Sequence, residues 1–113
     1  LYDRCVDHPP VVPCIWQVEV ANTLLVAERK RRISRADVES YVEVLLAMRA
    51  VIDLDPVDDA IARLIPLSRD HGLTAYDAMY LELAQRTRLP LATLDAPLAK
   101  AARTLGVRLA PTS

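Results

Sequence analysis

Glycine is scarce in this chain: Gly72 and Gly106 are the only two among 113 residues. That excludes a GxGxxG dinucleotide loop and a P-loop, each of which needs several glycines close together to cradle phosphates. No apolar run approaches the roughly 20 residues that span a bilayer, and no signal-peptide pattern opens the sequence. Charge of one sign is not in excess either. The net charge of −1 creates no global field for nucleic acid, so such binding would rest on a local patch. The two cysteines, Cys5 and Cys14, make no disulfide framework and read as reduced and cytosolic, which predicts a cytoplasmic protein. Cys5, His8 and Cys14 lack a fourth zinc ligand. Neither His has a Ser or Cys nucleophile in a recognisable motif, so a catalytic triad has no support.

What is present is a 52% hydrophobic composition, enough for one core and one domain over residues 1–113. Leu1–Asp7 reads as the tail of a helix broken by His8-Pro9-Pro10. Val11-Val12-Pro13 is a short extended run. Cys14 to Arg32 is the longest helical stretch and closes in Arg29-Lys30-Arg31-Arg32, a solvated helix end or a patch for phosphates or an acidic partner. Ser34-Arg35-Ala36-Asp37 is a capping box for a helix to about Ala50. Val51–Leu54 is β-favouring. Asp55-Pro56 starts a helix that ends near His71-Gly72. Thr74 and Asp77 have capping-box spacing for a helix through Ala84. Leu89–Leu94 has the apolar character of a strand buried on both faces. Asp95 and Pro97 open a helix stopped by Gly106, and Val107–Leu109 reads as an edge strand. Helices alternating with short apolar strands predict an α/β sandwich around a mostly parallel sheet.

Three acids stand out. At about 100° per residue, Ile15, Glu19, Asn22 and Val26 share one stripe, flanked by Trp16, Val18 and Leu25, so Glu19 is predicted to point inward. An inward carboxylate is costly unless paired or metal-bound. Asp77 begins a helix and Asp95 ends a strand, near where ligands bind in open α/β sheets. Each also has a plain structural use, as a cap or a dipole partner. Together, Glu19, Asp77 and Asp95 form an oxygen-only set of the kind that holds Mg²⁺ or Mn²⁺. Such a site activates water for in-line phosphoryl displacement. The three carboxyls are then expected roughly 4–8 Å apart.

These residues also carry a family resemblance. Leu73-Thr74-Ala75-Tyr76-Asp77-Ala78 through Leu89-Pro90-Leu91-Ala92-Thr93-Leu94-Asp95, with Trp16-Gln17-Val18-Glu19-Val20-Ala21-Asn22, resembles the PIN-domain ribonucleases, specifically the small VapC-type toxins of bacterial toxin–antitoxin pairs. The resemblance covers essentially the whole chain in order. It implies a PIN-like α/β/α sandwich, a Mg²⁺- or Mn²⁺-dependent endoribonuclease acting on RNA, a homodimer, and an antitoxin that blocks the site. Glu19, Asp77 and Asp95 would be the metal-site acids, Thr93 a polar residue beside them and Asn22 an orienting neighbour. One departure stands out: the family opens with an apolar strand ending in Asp, and no such segment precedes Leu1. The expectation is that something fills its place in the sheet: an upstream segment, a separate peptide or a strand from another copy. Two readings follow. One is the nuclease; the other is a catalytically incomplete module that binds an antitoxin or itself without cleaving RNA.

Overall fold

The computed structural model describes residues 9–54 and 57–111, with backbone alone at Val57, Asp58 and Asp59. The helix tail at Leu1–Asp7, Cys5, His8 and the helix start at Asp55-Pro56 lie outside them. Seven elements follow in order: β1 (Val11–Val12), α1 (Trp16–Arg29), α2 (Arg35–Ala47), β2 (Val51–Ile52), α3 (Val57–His71), α4 (Ala75–Thr87) and α5 (Ala96–Thr104). This is an α/β fold of the PIN-like kind, with a short parallel sheet accompanied by helices. The chain divides into two compact units, the first running to Asp53 and the second starting at Leu54.

In the first unit β1 pairs in parallel with β2, Val11 opposite Val51 and Val12 opposite Ile52. The amides of Val51 and Asp53 donate to the carbonyls of Pro10 and Val12, both at 2.8 Å. Val51–Leu54 was expected to be all strand. The ladder stops at Ile52, and the Leu54 side chain is exposed. Helix α1 begins at Trp16 rather than Cys14, with no side-chain cap at Ile15. Its last turn closes with Arg31 N–H donating to Glu28 O and Arg32 N–H to Ala27 O, the Schellman pattern. The residue in the left-handed conformation there is Arg31, φ 57°. Helix α2 has the predicted capping box in full: Asp37 N–H donates to Ser34 Oγ at 3.0 Å and Ser34 N–H to Asp37 Oδ2 at 2.9 Å. Those Ser34 bonds, the backbone one foremost, hold the Asp37 carboxyl below its ordinary pKa of 3.8. The helix ends at Ala47, three residues short of Ala50, because Arg49 turns left-handed at φ 53°.

Two of the three flanks predicted to cover Glu19 do not do so, whereas Trp16 is half-buried. Val18 is 72% exposed, Leu25 is also exposed, and neither α1 nor α2 contains a fully buried residue. Periodicity locates a stripe but not what lies on it.

The second unit holds a packed core. Leu81 and Ala84 of α4 meet Leu98, Ala101 and Ala102 of α5, with Leu91 and Val107 completing the cluster. Leu67, Leu73, Tyr80, Leu105 and Leu109 pack around it. The alanines at the interface let helix backbones approach closely. Gly72 (φ 64°) and Gly106 (φ 74°) stop α3 and α5, as predicted. Leu73 N–H reaches Ser68 O and Val107 N–H reaches Ala102 O, the same closure as at Arg31. Here glycine takes the left-handed position without a Cβ penalty.

The predicted buried strand Leu89–Leu94 is a correction. Only Leu91 is buried, and it forms one isolated parallel bridge, to Leu109. Leu91 N–H donates to Arg108 O and Ala110 N–H to Leu91 O, each at 2.8 Å. Leu89 is 43% and Leu94 90% exposed. Pro90 has no amide to extend the ladder. Arg88 is left-handed before it, and the Asp95 amide bends back onto Thr93 Oγ1 after it. The edge strand Val107–Leu109 shrinks to the same bridge.

Candidate functional site

Asp77 and Asp95 both stand at helix N-termini of the second unit, on the two helices whose core faces meet at Leu81 and Leu98. Their settings differ. Asp95 is the N-cap of α5: its Oδ2 accepts from Leu98 N–H at 2.9 Å, and its own amide donates to Thr93 Oγ1 at 3.0 Å. Thr93 thus acts on the Asp95 backbone, through a local turn bond.

At α4 the predicted box closes on one side only. Asp77 N–H donates to Thr74 Oγ1 at 3.1 Å, but no bond returns from the Thr74 amide to the Asp77 carboxylate. The Ser34–Asp37 pair has the same spacing and makes both bonds. Among the described residues the half-buried Asp77 carboxylate thus has no hydrogen-bond partner, and its oxygens face other uses. Thr74→Ala is accordingly expected to cost about 1 kcal/mol through the lost cap. Asp77→Asn should leave stability close to wild type. Urea unfolding of both variants checks this; an equal loss in Asp77→Asn would mean that the carboxylate stabilises the fold.

Glu19 belongs to the first unit. It is half-buried, as its stripe predicts, and is not without a partner. Asn22 is exposed, against its predicted place on the inward stripe. Of the earlier zinc candidates, Cys14 is free and exposed. One acid was missed. Asp53 directly follows β2, so an apolar run ending in an acid, the signal that flagged Leu94-Asp95, is repeated at Val51-Ile52-Asp53. Its amide completes the β1–β2 pairing, and it too is not without a partner.

The donors are hard carboxylate oxygens, of the right chemistry for Mg²⁺ or Mn²⁺. Their number is the difficulty. Among the described residues no three His, Cys, Asp or Glu side chains form a group placed to hold a metal ion. No helix there is long and apolar enough to cross a membrane.

Comparison with the curated proteins finds no match. The family model described as PIN domain matches residues 6–104, which takes in the Glu19 helix and the whole Asp77–Asp95 stretch. The chain belongs to the PIN-domain family.

Proposed function

We propose that this chain is a PIN-fold binding module that associates with a partner protein, an antitoxin or a second copy of itself, without cleaving RNA. The PIN fold is of nuclease type in general. The observation that carries the narrower reading is that no three His, Cys, Asp or Glu among the described residues form a group placed to hold a metal ion. A hard cation wants about six oxygens, and two carboxylates leave most of its shell to water. The first unit meanwhile leaves Val18, Leu25, Tyr41, Val42, Val44 and Leu46 exposed. Such apolar surface is what a partner helix or an isologous dimer contact covers.

A second reading keeps one observation in its favour, the unbonded Asp77 carboxylate. In it the chain is a VapC-like cytoplasmic toxin, a Mg²⁺- or Mn²⁺-dependent ribonuclease. Glu19, Asp77 and Asp95 then hold the metal, with Asn22 and Thr93 in support.

One experiment separates them. The purified chain is incubated with labelled RNA and millimolar Mn²⁺ or Mg²⁺, and its mass is followed by light scattering. The binding module predicts no metal-dependent cleavage and, where the partner is a second copy, a dimer. Cleavage that needs metal and is lost in Asp77→Asn would overturn it in favour of the nuclease.

A further inference from the structure

A cleft of about 670 Å³ lies in the second unit, between the C-terminal turn of α3 and one face of α5. Small-molecule sites typically enclose about 300–1,000 Å³. On the α5 side Ala96, Pro97 and the buried Ala101 give the cleft an apolar lining. Lys100 and Thr104 follow on the same helix face, and Asp70 and His71 line the cleft from α3. None of the candidate acids Glu19, Asp77 and Asp95 belongs to this lining.

The polar groups of the cleft are unsatisfied. Among the described residues, the side chains of Asp70, His71 and Lys100 make no hydrogen bond and no ion pair. Elsewhere acids and cations join where they can reach. Glu82 holds both Arg63 and Arg86, and even the exposed Glu39 lies 3.9 Å from Arg35. Asp70 and Lys100 line one cleft and do not meet. Helix stability accounts for His71, since a cationic group suits a helix C-terminus. It does not account for Asp70, whose carboxylate opposes the dipole in that same last turn.

We propose that this cleft binds a small zwitterion of the amino-acid class, a free amino acid or a dipeptide. The ligand's carboxylate pairs with Lys100 and accepts from the ring N–H of the half-buried His71. Its ammonium pairs with Asp70, and its apolar side chain lies on Ala96, Pro97 and Ala101. The two charges select this class. A phosphate or any simple anion meets Asp70, a simple cation meets Lys100, and like-charge contacts disfavour both. Only a ligand that carries both signs satisfies both walls. Concavity and the apolar lining favour a compact molecule over an extended polymer. The site is separate from the partner-binding surface and from any cleavage.

The test is isothermal titration calorimetry of the whole chain with leucine and with glycyl-leucine, in the absence of metal and RNA. Both should bind one to one, and each should raise the melting temperature as its concentration passes Kd. The tighter of the two names the source. N-acetylleucine lacks the ammonium and leucinamide lacks the carboxylate, so each should bind about fivefold more weakly, the worth of one solvent-exposed ion pair. Asp70→Asn and Lys100→Gln should each weaken leucine binding by about the same factor. Asp70→Asn should not weaken N-acetylleucine further, nor Lys100→Gln leucinamide, because the partner group is already missing. Asp70 and Lys100 are exposed, so both variants should fold. Arg103→Gln, on α5 but outside the cleft, should leave affinity unchanged. No binding of either zwitterion, blocked analogues as tight as leucine, or full affinity in both variants overturns the proposal. So does binding of inorganic phosphate in place of leucine, which would make the cleft a plain anion site. Cleavage and oligomer mass are separate readouts, so the fate of the cleft and that of the partner-binding reading are told apart.

Discussion

Leu81→Ala is expected to lower the free energy of unfolding by about 2–5 kcal/mol, the range for emptying a packed leucine site. Leu81 is wholly buried, and its neighbours in the cluster come from α5, the Leu91 bridge and Val107. Several of those neighbours are alanines, which are too short to move into the space. Against a total of about 5–15 kcal/mol for a typical domain, the variant should lose a large part of its margin. Urea unfolding followed by circular dichroism measures it. A loss below about 1 kcal/mol would mean that α4 and α5 are not packed as described.

The second large effect is expected at Glu82. Its Oε1 accepts from Arg63 Nε of α3 at 3.0 Å and from Arg86 Nε of α4 at 2.8 Å, while Oε2 accepts from Arg86 Nη2 at 3.3 Å. The Glu82 side chain is 13% exposed, and the two arginine side chains 36% and 31%. Glu82→Gln keeps the shape and one acceptor but leaves two neighbouring cations without their shared anion. The expected cost is about 1–3 kcal/mol, below that of a fully buried pair because water still reaches the arginines. A double-mutant cycle with Arg63→Gln should show coupling between α3 and α4. Additive losses would reduce the contact to a surface pair.

What the sequence revealed correctly was set by residues three or four positions apart. The Ser34 box, the Thr74 and Asp95 caps and the glycine stops at 72 and 106 are all local chemistry, so they could be read without knowing the fold. The Arg63–Glu82 contact joins positions 19 apart and left no local signal. Leu89–Leu94 failed for the opposite reason. Its composition is that of a buried strand, but Pro90 and the Thr93–Asp95 turn limit what its backbone can pair with. The candidate acids divide in the same way. The settings of Asp77 and Asp95 follow from nearby caps, whereas that of Glu19, in mid-helix, depends on neighbours that periodicity cannot name. Even at Asp77 the spacing predicted a closed box, and only the geometry revealed its open side.

The parallel pairing of β1 with β2 sets an order of events for the first unit. Val11 finds Val51 across 40 positions of chain. Closing a flexible loop of that length costs about 3 kcal/mol, while two backbone hydrogen bonds return only about 1 kcal/mol each. Strands of two residues therefore cannot meet by chance and stay together. Helices α1 and α2 have to form first and shorten the path between them. Strand pairing is then expected to be the late step of folding in this unit, with the amides of Val51 and Asp53 the first of its hydrogen bonds to exchange.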